Sequence, residues 1–377
     1  MVQCFKIILC IFVFLGNLSA ESIQISFEND IKLIFDNIRN YSDDDVTTND
    51  SSLNDSTAML ELYPKLDFAF KEGASIKTSW VFELLKDPAA NNDFQGEGLV
   101  LDELYFSFEN EDAEFFIGKV NPNFAYLWNY NLNSGIWTSD IAEMYKITGK
   151  IAIGGKIKMD LEGHGQHNLS VATFYYDDSN LSDALFTRRT ISDNNIGVAS
   201  DTGSLSSFTL NLFAEDLNFF DGLFYNASYR FLKNSTSLNI DDEEGYAVTV
   251  GFEKNVLNNL TIRPMVEYVN IENFNSFNND FNQEFGDDQY LPADLESILF
   301  VFGLGYKSWN FNYMYSRQDY TKLLVSSNIK AKDEGFSMSY LFDNNITLRA
   351  GTRKSERDDV NLSKHTISVQ LLYKSNF

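Results

Sequence analysis

From residue 23 onward, apolar and polar side chains alternate with a period of two, in segments of about ten residues separated by turn-forming residues. In the segment 258–270, Leu260, Ile262, Val266 and Tyr268 fall on one face and Thr261, Arg263 and Glu267 on the other. In 309–317, Trp309, Phe311, Tyr313 and Tyr315 oppose Asn310, Asn312 and Ser316. The segment 145–160 sets Ile151, Ile153, Ile157 and Met159 against Lys150, Lys156, Lys158 and Asp160. About sixteen such segments are predicted as strands, the first at 23–36 and the last at 363–377. One face is nearly unbroken, apolar and capped by aromatic residues, and the opposite face is charged. A soluble barrel that carries an apolar ligand has the reverse polarity.

The connections alternate strictly in length. KEG (71–73), NED (110–112), EGHG (162–165), KS (307–308) and DNN (343–345) are short, whereas 37–56, 86–98, 120–144, 177–204 and 271–295 are long. An even number of antiparallel strands, short turns at one rim and long loops at the other predict an all-β, transmembrane antiparallel β-barrel. Pro64 and Pro264 fall inside predicted strands, in phase with the apolar face, so a bulge or a shortened strand is expected at each.

One stretch does not alternate. Gly118–Met144, GKVNPNFAYLWNYNLNSGIWTSDIAEM, is too long for a turn and too aromatic to be left in water. It is expected to fold back into the cylinder and narrow it, bending at Asn121-Pro122 and again at Gly135. Its acids Asp140 and Glu143 are the candidates to face the constriction, and Tyr126, Trp128 and Trp137 are candidate contact residues for a permeating solute. The wall cations in lumen phase are Lys65, Lys77, Lys150, Lys156, Lys158, Arg230, Arg263, Arg349 and Arg353.

Composition narrows the setting. The chain opens with Lys6, an apolar run from Ile7 to Leu15 and small residues ending at Ala20, the order of a secretory signal peptide. The expected organisation is a leader over 1–20 and one barrel over 21–377. Both cysteines, Cys4 and Cys10, lie in the leader, so no disulfide, thiol nucleophile or Cys-ligated metal is expected. The net charge of -25 argues against nucleic acid or anionic lipid as an electrostatic partner. His164, His167 and His365 are the only histidines, and H-x-x-H in a short turn is weak metal evidence. No catalytic pairing or phosphate-cradling glycine loop stands out, so no enzyme activity, metal or cofactor is expected. Arg188 and Arg189 read as solvated loop charges.

The C-terminal segment KHTISVQLLYKSNF is an amphipathic strand ending in Phe377, with Tyr373 four residues before it. It resembles the terminal signal by which the outer-membrane assembly machinery recognises barrels. The strand count, with its long loop after the fifth strand, resembles the general bacterial porins, in which the third extracellular loop forms the constriction. The blocks GKVNPNF (118–124), GIWTSDIAEMYKITGKIAIGG (135–155) and LSDALFTRR (181–189) resemble an alphaproteobacterial porin-like family. These resemblances imply a Gram-negative outer-membrane location, with short periplasmic turns and long extracellular loops. They also imply partners in the barrel-assembly machinery, outer-membrane lipid and lipopolysaccharide, and a homotrimer. The expected function is passive diffusion of small hydrophilic solutes. The alternatives are a substrate-selective channel for sugars or anions, with Tyr126, Trp128 and Trp137 as a greasy slide, and a plugged structural or adhesive barrel.

Overall fold

A computed structural model of the chain describes residues 23–42, 55–70, 73–84, 97–129, 135–179, 181–182, 184–185, 200, 202–217, 220–234, 241–274, 293–322, 328–358 and 362–376. The proposed leader, Arg188, Arg189 and Phe377 lie outside the described residues.

Seventeen strand segments form one antiparallel sheet that closes on itself. They are β1 (Gln24–Ser42), β2 (Asp55–Ala69), β3 (Ala74–Leu84), β4 (Glu97–Glu109), β5 (Ala113–Val120), β6 (Lys150–Leu161), β7 (Gly165–Tyr176), β8 (Ser207–Glu215) and β9 (Leu223–Leu232). There follow β10 (Glu243–Phe252), β11 (Lys254–Leu257), β12 (Leu260–Phe274), β13 (Ala293–Tyr306), β14 (Trp309–Lys322), β15 (Asn328–Leu341), β16 (Ile346–Arg357) and β17 (Leu362–Asn376). β1 pairs with both β2 and β17, which leaves the sheet no free edge. β10 and β11 both pair with β12 and are one stave interrupted at Glu253, so the barrel has sixteen staves, as expected.

Both prolines are accommodated where the ladder is incomplete. The interruption of the tenth stave lies opposite Arg263 and Pro264: Gly251 pairs with Met265 and Lys254 with Ile262. The β2–β3 ladder skips from Leu62–Phe82 to Lys65–Ser79, passing over Pro64, and the β3–β4 ladder bulges next to it at Ser79/Trp80.

The expected phase holds around the barrel. Val266, Ile367 and Phe336 are exposed on the outside, and Ser316, Ser368 and Glu267 are buried on the inside. Two expectations require correction. The sixth strand begins at Lys150, not at 145, because Gly149 has φ +63, which no strand residue adopts. Tyr145 and Ile147 alternate like strand residues, yet both are buried within the loop's apolar cluster. The inner face, moreover, is not uniformly polar. From β9 to β15 it carries Met265, Val269, Ile271, Leu295, Leu299 and Val301, all buried, interspersed with buried polar residues such as Arg230, Thr249 and Glu267. The reason is what lies against it.

Candidate functional site: the inward loop and the opening beside it

Between Val120 and Lys150 the chain leaves the barrel wall and packs inside it. Its root is closed by Asn121. The Asn121 side chain donates to Asp102 (2.8 Å) and accepts from the Gly149 N–H (3.1 Å), while its own backbone N–H donates to Glu103 (3.0 Å). Phe124, Ala125, Leu127, Ile136, Trp137, Ile141, Ala142 and Tyr145 then form one continuous apolar cluster with the inner faces of β9–β15. Burial of this many apolar side chains, at roughly 1.5–3 kcal/mol each, is the main force holding the loop inside.

Polar contacts fix its register on that wall. Glu267 of β12 is fully buried and accepts from the N–H groups of Tyr126 (2.8 Å) and Leu127 (3.0 Å), from Thr249 Oγ1 (2.6 Å) and from the Tyr145 hydroxyl. The two backbone donors open the 3-10 turn Leu127–Asn129, whose first N–H groups have no partner within the turn. Burial, and then the charge of Glu267, push the Tyr145 phenol well above its ordinary range, so it remains a donor. Arg230 of β9 pairs with Glu243 (2.5 Å), donates to the Tyr145 carbonyl (2.8 Å) and lies 4.6 Å from the Phe124 ring centre.

Trp137 sits where the wall has no side chains. A Cβ at Gly335 would lie 3.1 Å from the indole, and one at Gly351 would lie 3.0 Å from it and 2.6 Å from the Phe336 carbonyl oxygen. Gly351→Ala is therefore expected to cost about 1–3 kcal/mol and to lower the midpoint of thermal unfolding. After Trp137 the chain forms one short helix, α1 (Thr138–Glu143). Thr138, Ile141 and Ala142 form its buried face, and Asp140 and Glu143 are exposed on the other.

The loop thus covers one half of the inner wall, and the opening runs past β16, β17 and β1–β5. Asp140 is within electrostatic range of Lys32, Arg349 and Arg353. Lys32 pairs with Glu61 at 2.8 Å on the adjacent stave. Lys146 pairs with Glu143 (3.5 Å), lies 4.9 Å from the Trp128 ring centre and is in range of Glu83, Asp102 and Glu103. The loop therefore presents an acid toward the basic sector of β1 and β16 and a base toward the acidic sector of β3 and β4.

The residues singled out from the sequence divide into groups. Asp140 and Glu143 are exposed on the open face of α1; on β16, Arg353 is partly exposed and Arg349 is as buried as Lys150. Lys65 is exposed on β2, and Lys156 is partly exposed on β6. Lys77 and Lys158 are near the short turn after β4, paired with Glu114 (3.4 Å) and Glu109 respectively. Arg263 is near the turn after β11, paired with Glu253 (3.1 Å). Lys150 and Arg230 do not line an opening: they are buried, Lys150 against the Tyr176 ring at 4.6 Å and Arg230 under the loop. Of the loop's three aromatic candidates, Tyr126 and Trp128 are partly exposed and Trp137 is buried. Trp137 is 4 % exposed, and Tyr126 stacks on Phe213 with ring centres 5.3 Å apart. Tyr373 is exposed on the outer face. Sequence reasoning passed over Lys146 and treated Glu267 as an ordinary wall charge. The i, i+3, i+4, i+7 spacing of Thr138, Ile141, Ala142 and Tyr145 was the available signal for α1.

A second loop seals the place where the first departs. Above Val120 the upper part of β4 loses its neighbour, and Leu185 pairs with Leu99 there. Lys119, on the outward face of β5, is buried against Asp177 (3.2 Å), Ser182 (2.8 Å) and the Leu181 carbonyl (3.1 Å). Lys119→Met alone is expected to cost about 3–5 kcal/mol by stranding Asp177, and Lys119→Met/Asp177→Leu to recover most of it. Unfolding midpoints of the single and double variants check this.

No protein-family model matches the chain, and no curated protein sequence matches it. Solved structures do. The outer membrane channel DcaP of Acinetobacter baumannii superposes with a TM-score of 0.58 at 17% identity, covering 95% of this chain and 99% of DcaP. An anion-selective porin from Comamonas acidovorans gives 0.54 at 8% identity, covering 94% and 100%. OccK8 (OprE) of Pseudomonas aeruginosa gives 0.51 at 10% identity, covering 94% and 98%. Over nearly its whole length, the chain has the sixteen-stranded fold of the outer-membrane porins.

Proposed function

We propose that this protein is a porin of the Gram-negative outer membrane, through which small hydrophilic solutes diffuse passively. The observation that carries the reading is the inward loop: it is anchored to one half of the wall by Glu267, Arg230 and Trp137 and turns Asp140 and Glu143 toward the other. Solutes are sieved by the space between α1 and the staves β1–β4, and biased by the charges on both sides of it. In this reading residues 1–20 are a cleaved leader, the short turns face the periplasm, and the strand that ends at Phe377 carries the assembly signal. The resemblance of the blocks at 118–124, 135–155 and 181–189 supports kinship with an alphaproteobacterial porin-like family, and the resemblance to general porins makes a homotrimer the expected assembly. A selective channel for sugars or anions is the second reading, favoured by the basic sector of Lys32, Arg349 and Arg353 around Asp140.

Planar-bilayer recording of the purified, refolded protein tests the proposal. Ohmic conductance without saturation by sugars or organic anions is expected; absence of conductance would overturn both channel readings. Asp140→Asn/Glu143→Gln is expected to move the reversal potential under a salt gradient toward the anion side. An unchanged potential would mean that α1 does not border the solute path.

A further inference from the structure

The inner face of β17 carries Thr366, Ser368 and Gln370 at every second position, all buried, while Ile367, Val369 and Leu371 face outward. Register sets each of the three between two other staves. Thr366 lies between Arg353 of β16 and Ile38 of β1, Ser368 between Gly351 and Asp36, and Gln370 between Arg349 and Ile34. A buried polar group without a hydrogen-bond partner costs free energy, so native structures hold few of them. Here Thr366 Oγ1, Gln370 Oε1 and Asp36 Oδ1 are buried and have no partner among the described residues. Thr366 and Gln370 are only 3% and 4% exposed. Three such atoms in one patch of wall point to a ligand that supplies their partners.

The charges around the patch define that ligand. Arg353 stands at the Thr366 end, with Asp333 3.9 Å away. Asp36 stands on the other side of β17, beside the Ser368 hydroxyl and in electrostatic range of Arg353, Lys32 and Asp140. Lys32 is paired with Glu61 at 2.8 Å, and Arg349 is buried in range of Asp140 and Asp30. Arg353 and Asp36 are partly exposed, and Asp140 is exposed on α1, so the patch is reached from the opening. A simple anion would meet Asp36 and Asp140 here, and a simple cation would meet Arg349 and Arg353. A solute that carries both charges meets each with its opposite.

We propose that this patch of β16, β17 and β1 seats a small zwitterion of the α-amino-acid type. Its ammonium donates to Asp36 Oδ1 and Gln370 Oε1, oxygens that can only accept. Its carboxylate accepts from the Arg353 guanidinium and from the Thr366 hydroxyl. An ammonium nitrogen and a carboxylate oxygen about 3–4 Å apart, with a hydrogen bond of about 2.8 Å at each end, span about 9 Å. Thr366 and Gln370 are four residues apart on one strand, about 13 Å between their backbones, a difference the glutamine side chain is long enough to cover. The inference rests on the porin reading only in that the solute enters through the lumen.

Saturation-transfer NMR of glycine with the full refolded barrel in detergent micelles provides the test, with glycine betaine, acetate and methylammonium as comparison solutes. Glycine is expected to bind saturably. Betaine, whose nitrogen has no N–H to donate, and the two singly charged solutes are expected to bind at least about tenfold more weakly. Thr366→Val/Gln370→Leu is expected to weaken glycine binding at least about tenfold. Its unfolding midpoint should hold or rise, because both groups removed are unsatisfied in the free protein. Asp36→Asn is an independent second variant, with the same loss expected. Absence of glycine binding to the wild type, equal binding of betaine, or equal glycine binding by both variants and the wild type would each overturn the seat. Planar-bilayer conductance is recorded on the same preparations. A conducting barrel that does not bind glycine ends this inference alone, whereas a barrel that does not conduct ends the porin reading.

Discussion

Glu267→Ala is expected to release the inward loop while leaving the barrel closed. Four donors converge on this carboxylate, and hydrogen bonds to a charged acceptor contribute about 1.5–3 kcal/mol each. Removing it strands the N–H groups of Tyr126 and Leu127 and the hydroxyls of Thr249 and Tyr145 in an apolar surround. The loop then loses its register, although the β-ladders on either side of Glu267 keep their backbone pairing with β10 and β13. The measurable outcome is a larger and noisier single-channel conductance, together with new protease cleavage between Val120 and Lys150, in a protein that still migrates as a heat-modifiable barrel. Glu267→Gln is expected to show a weaker form of the same behaviour, because its amide oxygen still accepts from the two backbone donors. Wild-type conductance and protease resistance in the alanine variant would show that apolar packing alone holds the loop.

Trp137→Ala is expected to have an effect of similar size by a different route. The indole is 4 % exposed and lies over two glycines, so its removal opens a cavity against backbone that carries no side chain of its own. Losses for such truncations run to about 3–5 kcal/mol. The expected result is a lowered unfolding midpoint and increased conductance for all ions alike, with no change in block by any particular sugar. Loss of a saturable solute block, with the unfolding midpoint unchanged, would instead restore Trp137 to the path as a contact residue. Trp137→Phe, which keeps most of the ring packing, is expected to recover the greater part of both effects.

The two residues illustrate what could be read from the chain. Glu267 alternates correctly with Val266 and Tyr268, and that pattern places it on the inner face. Nothing in the pattern says that the loop, more than 120 positions earlier, turns its N–H groups onto that carboxylate. Trp137 was legible as an aromatic residue in need of a partner, but the partner is two glycines on β15 and β16. A glycine in a strand more often signals a bulge or a close backbone approach, and only its distance to the indole distinguishes the cases. Lys150 and Arg230 were assigned correctly to the inner face and incorrectly to an open surface. Phase decides which side of a wall a side chain is on, and only the loop's position decides whether water or another side chain covers it.

By itself, then, the sequence determined the sixteen-stave closed barrel, the inside and outside of its strands, the two rims and a long connection, 118–144, that folds inward. These follow from period-two alternation and connection length, both local properties of the chain. Only the tertiary structure decided that the loop packs along β9–β15, that Asp140 and Lys146 face oppositely charged sectors of the remaining wall, and that Asp36, Arg353, Thr366 and Gln370 meet in one patch of it. Each of these depends on residues far apart in sequence being brought to one level by strand register and barrel closure.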